Sequence, residues 1–114
     1  MYSFNRTKRL LHKHQFQFVF ENAKKIVTSE YIIFFRENQL EHPRLGLAVS
    51  KKAISKAHDR NRIKRTIRES FRISMNDTLL PVDMIVLIKN PVMRLSAAGF
   101  RVKLKQTWDQ LVKC

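Results

Sequence analysis

The sequence predicts a single α+β domain in which a small sheet packs against helices. Three observations predict it. At 114 residues with 44% hydrophobic content, the chain is long enough for one modest core and too short for two. Apolar residues recur at helical spacing in three segments and form short β-branched and aromatic runs in four others. Two glycines and three prolines argue against long low-complexity linkers. Read in order, the elements are helix, three strands, long helix, strand and helix, an α-β-β-β-α-β-α sandwich.

Each element has its own signal. Residues 1–13 hold Arg6, Lys8, Arg9 and Lys13 with little apolar patterning, which reads as a basic, flexible arm. Phe16, Val19 and Phe20 predict a helix from about Gln15 to Ala23, with Phe18 off its stripe. Lys25–Val27 and Tyr31–Arg36 are short and β-branched or aromatic, hence strands. Asn38–Pro43 is polar and reads as a turn. Leu45–Ser50 is a third strand, expected to form an antiparallel hairpin with Tyr31–Arg36. A long helix runs from near Lys56 to near Ile73, and the apolar run 83–88 reads as a central strand. Asn90-Pro91 breaks the chain, and Ser96 caps a last helix with Phe100, Leu104, Trp108 and Leu111 inside.

Charge is concentrated in the long helix and the segment before it. Nine of the residues from Lys51 to Arg72 are Lys or Arg against two acids, Asp59 and Glu69, so this stretch holds +7 of the formal +14. On a wheel of 100° per residue, Ile63, Ile67 and Phe71 fall within roughly 80° of one another, on the side opposite most of the cations. Arg60 lies on the apolar line, where its stem can cover the core edge with the guanidinium outside. A solvated helix face normally alternates signs to gain i,i+4 pairs. This one repels itself, a cost that a polyphosphate relieves by releasing its counterions. Nucleic acid is therefore the expected partner. Strands flank the basic helix where a DNA reader would have a second helix at a tight turn, which favours structured RNA.

Other classes are disfavoured. No apolar run approaches the roughly 20 residues that span a bilayer, and the N-terminus does not read as a secretory signal. The single cysteine, Cys114, permits no internal disulfide, which suits a reducing cytoplasm. The nine acids are scattered, so neither a protein-bound metal nor a catalytic residue of the protein is expected. His12 and His14 sit in a basic arm, a poor place for zinc.

Ser50-Lys51-Lys52, then Arg60-Asn61-Arg62-Ile63-Lys64-Arg65 and Arg68-Glu69-Ser70-Phe71, resemble the signature of the bacterial ribonuclease P protein subunit. Arg9-Leu10, Phe16, Phe20, the 31–35 strand, Pro43-Arg44-Leu45-Gly46-Leu47 and the last helix follow that family's order, so the resemblance spans nearly the whole chain. Ser55 departs from it, since many members have Gly there. The resemblance implies a left-handed βαβ crossover and a protein bound to a catalytic RNA. With that RNA and Mg²⁺ held mainly by it, the protein would assist removal of the 5′ leader from precursor tRNA. No membrane, organic cofactor or protein oligomer is implied.

By motif position, Lys51, Lys52, Lys56, Arg60, Asn61, Arg62, Lys64, Arg65, Arg68 and Arg72 are the candidates for the catalytic RNA. Phe16, Phe20 and Phe34 are the candidates for the leader, with core packing as the alternative for each. Two rivals remain: an RNA-binding ribosomal or assembly protein, which needs no aromatic cleft, and a stand-alone nuclease, which needs a carboxylate cluster.

Overall fold

A computed structural model describes residues 9–10, 12–75 and 80–113. The elements are α1 (Lys13–Glu21), β1 (Lys24–Val27), β2 (Tyr31–Glu37), β3 (Arg44–Ala48), α2 (Ala57–Met75), β4 (Val82–Ile88), a 3-10 turn (Asn90–Arg94) and α3 (Ala97–Lys113). The α-β-β-β-α-β-α order is the one expected. Of the basic arm, residues 1–8 and 11 lie outside the described residues. Arg9 and Leu10 are not loose: Arg9 bridges to Leu45 in parallel, Leu10 N–H donates to the Leu45 carbonyl at 2.8 Å, and the Leu10 side chain is buried.

The four strands lie in the order β1-β2-β4-β3. This corrects the expected hairpin. β2 and β3 are not neighbours; β4 inserts between them, antiparallel to β2 and parallel to β3. Val82 through Val86 are all buried, so both faces of β4 are covered and only a central position can satisfy it. The tight hairpin belongs to β1 and β2, where the Thr28 N–H and hydroxyl both donate to the Tyr31 carbonyl at 2.9 and 3.0 Å. β3 and β4 are joined instead by the α2 crossover.

One face of the sheet carries the main core. Ile33, Leu45, Met84 and Val86 pack with Ile63, Ile67, Phe71 and Met75 of α2 and Leu104, Trp108 and Leu111 of α3. Trp108 sets the helix pair: its ring meets Phe71 edge-on at 5.8 Å and its Nε1–H donates to Ser70 Oγ at 2.8 Å. Buried Tyr31 shares a hydrogen bond with Thr107 Oγ1 at 2.7 Å and lies against Phe100. Ser96 Oγ accepts from the Gly99 N–H at 3.0 Å, the cap expected for α3.

The other face is organised by register into three rows across the strands. Val27, Ile32, Leu87 and Ala48 form an apolar row; Lys25, Phe34, Ile85 and Gly46 form the next; Arg36, Asp83 and Arg44 form a charged one. α1 lies along the middle row, with Phe16 over Gly46, Val19 in a cluster with Ile85, and Phe20 against Phe34.

Asp83, fully buried, closes the charged row. Arg44 donates to its two oxygens from Nε (2.8 Å) and Nη2 (2.6 Å), and Asn38 Nδ2 donates to Oδ1 at 2.8 Å. The carboxylate partner raises the Arg44 pKa against the opposing effect of burial. Removing the carboxylate alone should be severe: Asp83→Ala is expected to cost about 3–5 kcal/mol in urea unfolding. The double change Arg44→Met with Asp83→Leu should recover most of that loss.

Candidate nucleic-acid interface

The expected two faces of α2 are present. Ile63, Ile67, Phe71 and Met75 are buried at i, i+4, i+8 and i+12. Asn61, Arg62, Arg65 and Arg68 are exposed, with Lys64 and Arg72 half-buried beside them. The helix runs two residues beyond the expected Ile73, because Met75 adds another buried position to the stripe.

The two acids of the helix neutralise little of this charge. Asp59 stands 3.6 Å from Arg62, and Glu69 pairs with Arg72. Exposed i,i+3 pairs of this kind contribute about 0–1 kcal/mol. Among the described residues Lys64, Arg65 and Arg68 have no carboxylate partner. Arg9, held on the outer edge of β3, joins them: Arg9, Asn61, Lys64, Arg65, Arg68 and Arg72, with Glu69, line one open cavity of about 380 Å³. Desolvation, and then the charge of Arg9, push the Arg68 pKa below the usual guanidinium value. A cavity lined by this many cations is an electrostatic receptor for an oxyanion.

Arg60 is half-buried, and its Nη1 donates to the carbonyls of Ile54 and Ser55, both at 2.9 Å. Those carbonyls end the loop ahead of α2 with no strand or helix partner, and the long stem of Arg60 reaches back to them. The same loop is pinned by buried Ile54, by the Ala53 N–H to Ser50 Oγ bond at 3.1 Å and by Asn90 Nδ2 to the Ala53 carbonyl at 3.0 Å. Lys51, Lys52 and Lys56 are left exposed. Ser55 in place of Gly causes no strain, since Gln39 is the one non-glycine residue with positive φ among the described residues.

Two of the three aromatic candidates come together, and the third lies further along α1. Phe20, 46% exposed, meets the half-buried Phe34 edge-on at 5.0 Å, and Lys25 Nζ stands 5.6 Å from the Phe34 ring centre. Phe16 is half-buried against Leu10, Ile85 and Gly46. Beside them the apolar row stays open to solvent, Val27 being 63% exposed. A cation, two edge-to-face rings and an apolar floor form a surface on which bases can stack. Lys25 and the apolar row were missed in the sequence because strand register, unknown there, assembles them.

Among the described residues no three His, Cys, Asp or Glu side chains converge to hold a metal ion. The carboxylates are dispersed, with Asp83 committed to Arg44, Glu30 to Lys103, and Asp109 3.8 Å from Lys105. Among the described residues no helix is long and apolar enough to cross a membrane.

The fold and this surface define a small basic α+β protein with a β-α-β crossover and a cationic helix face. The Ribonuclease P family model matches residues 4–112. The ribonuclease P protein component of Legionella pneumophila (strain Corby) is 51% identical over 114 residues, covering all of this chain and 97% of that protein. That of Haemophilus influenzae (strain PittGG) is 43% identical, covering 97% and 92%. Among solved structures, the RNase P protein from Thermotoga maritima superposes with a TM-score of 0.78 at 27% identity, covering 90% of this chain and 96% of that one. The Staphylococcus aureus RNase P protein gives 0.76 at 26%, covering 93% of each. The chain belongs to the bacterial ribonuclease P protein family, and with it to an enzyme complex of tRNA processing that includes an RNA partner.

Gly46 ties the aromatic surface to the fold. A Cβ there would lie 2.8 Å from Phe16 Cζ and 3.1 Å from Leu10 Cβ. Gly46→Ala should therefore cost about 1–3 kcal/mol in chemical denaturation. Adding Phe16→Leu, which withdraws the clashing ring end, should recover most of it; no recovery would place the strain elsewhere.

Proposed function

We propose that this chain is the RNA-gripping and leader-holding subunit of a ribonuclease P ribonucleoprotein. The observation that carries the reading is the cavity lined by Lys64, Arg65 and Arg68, which have no carboxylate partner among the described residues. On this reading the catalytic RNA occupies the outer face of α2, its phosphates taken by Lys64, Arg65, Arg68 and Arg72 with Arg9 from the arm. Asn61 and Arg62 flank them, and Lys51, Lys52 and Lys56 extend the contact along the loop. Arg60 contributes mainly by fixing that loop. Planar guanidiniums suit phosphate oxygens better than point charges do.

The 5′ leader of precursor tRNA would lie on the opposite face of the sheet. Phe20 and Phe34 offer rings to its bases, Phe16 extends the aromatic surface over Gly46, and Lys25 meets the backbone. Base–aromatic stacking is worth roughly 1–3 kcal/mol per base, enough for the protein to raise substrate affinity without any chemistry of its own. The cut itself is assigned to the RNA subunit. Mg²⁺ is assigned there too, since the described carboxylates do not cluster and the best-buried one, Asp83, is spent on Arg44. A cytoplasmic site of action and a protein that needs no oligomer complete the proposal.

Precursor-tRNA cleavage at low Mg²⁺ by the partner RNA, with and without the chain, tests the whole reading. Stimulation of the RNA is expected. Activity from the protein alone would make it a nuclease, and no stimulation would leave a ribosomal or assembly role. The electrostatic part has its own readout. Replacing Arg65 and Arg68 with Ala should reduce the slope of log affinity against log salt by roughly 0.7–0.9 for each phosphate no longer neutralised. An unchanged slope would mean that these side chains face water in the complex.

A further inference from the structure

α1 divides the exposed sheet face into two grooves, and the leader candidates Phe20 and Phe34 occupy only one of them. Phe18 lies roughly 160–200° around the helix from Phe16 and Phe20, on the side of the charged row. There the Arg36 guanidinium stacks on the Phe18 ring at 3.8 Å, and Arg36 Nη1–H donates to the Phe18 carbonyl at 2.6 Å. The pair walls a cavity of about 790 Å³ that wraps over the end of the sheet, with Asn22, Lys24, Phe35, Glu37 and Gln39 also in its lining. That volume lies in the roughly 300–1,000 Å³ range of small-ligand sites.

We propose that this second groove binds an unpaired nucleotide of the same single-stranded RNA that occupies the Phe20–Phe34 surface. Its base would stack on the Phe18–Arg36 pair, with Lys24 lining the part of the cavity that wraps over the end of the sheet. The inference extends the proposed leader contact and rests on it.

Four observations carry it. Asp83, the neighbour of Arg36 in the register, has both oxygens taken by Arg44, so it does not quench Arg36. Among the described residues Arg36 has no carboxylate partner, and its charge stays available in the groove. A guanidinium stacked on an aromatic ring and fixed by a hydrogen bond is a preformed platform for a base. The side-chain amides of Asn22 and Gln39 have no hydrogen-bond partner among the described residues, and Glu37 adds an acceptor to the same lining. Gln39 also holds φ at 59°, a left-handed conformation that few non-glycine residues adopt. Lastly, Arg36 follows Phe34 by two residues along β2 and so shares its side of the sheet, and a strand leaving the rings toward the end of the sheet meets the base platform.

Amide NMR of the full chain tests this with adenosine 5′-monophosphate as the probe and ribose 5-phosphate as its base-free control. The nucleotide should shift the amides of Asn22, Arg36 and Gln39 saturably, and ribose 5-phosphate should not. Equal shifts from both probes would overturn the proposal in favour of an anion site only. Arg36→Lys keeps the charge and loses the planar stack, so the shifts should vanish; binding unchanged from wild type would sink the idea. Should Arg36→Lys disturb the fold, seen in the core amides of Ile85 and Val86, Phe18→Leu removes the stacking ring at an exposed position and should abolish the shifts in the same way.

A single-stranded RNA of about ten nucleotides completes the test. Shifts at both Phe34 and Arg36 are expected. Movement at Phe34 with Arg36 silent would overturn this inference and leave the leader reading intact. Silence at both would remove the leader reading as well.

Discussion

The burial of β4 on both faces is the constraint from which the rest of the architecture follows. A strand with five consecutive buried residues must have neighbours on both edges and cover above and below. That requirement separates β2 from β3 and makes β3 and β4 parallel, so the connection between them has to be a crossover. α2 is that crossover. Its apolar stripe covers one face of the sheet and turns the cations outward, while α1 covers the other face along the row centred on Phe34 and Ile85. Two chemically different surfaces thus end up on opposite sides of one thin sheet.

Packing and charge oppose each other in α2. Two unit charges about 7 Å apart in water repel by roughly 0.6 kcal/mol, and the helix holds many such pairs. The Asp59–Arg62 and Glu69–Arg72 pairs are exposed and offset only part of that repulsion. The helix is held instead from its other side, by four buried side chains and by the Ser70–Trp108 hydrogen bond to α3. Burying a large apolar side chain contributes about 1.5–3 kcal/mol, so the stripe outweighs any single repulsion without cancelling the field. The outward potential survives folding, which is the property a phosphate-binding face requires.

Much of this was legible from the residues. The i, i+4 spacing of Ile63, Ile67 and Phe71 located the buried face of α2, and the unalternated cations located the other. Ser96 as a cap and 83–88 as a central strand were equally local signals, confirmed by the Gly99 hydrogen bond and by the sheet order. The partner of β3 was not legible, because the choice is made by β4, a strand distant in sequence that excludes β2 from the pairing. The tie from Arg60 was not legible for a similar reason: the loop carbonyls that accept from its guanidinium are placed by tertiary structure. Asp83 read as one more scattered acid, and its role depends on Arg44 and Asn38 reaching it from other segments. Arg9 and Leu10 read as part of an arm, since a single parallel bridge leaves no periodic trace.

The three rows under α1 show how little sequence is needed to give one sheet face two functions. Ile32, Phe34 and Arg36 alternate along β2 on the same side, so a single strand presents an aliphatic, an aromatic and a cationic group in turn. The neighbouring strands repeat the gradient: Leu87, Ile85 and Asp83 on β4, Ala48, Gly46 and Arg44 on β3. Because α1 sits across the middle of that gradient, the helix leaves an apolar groove on one side and a charged groove on the other. The absence of a side chain at Gly46 is what lets the helix sit so low, with Phe16 filling the space that a Cβ at position 46 would occupy. The closeness of that contact sets where Phe20 and Phe18 stand over their respective rows, so the geometry of both grooves is fixed by one packing decision made at a glycine.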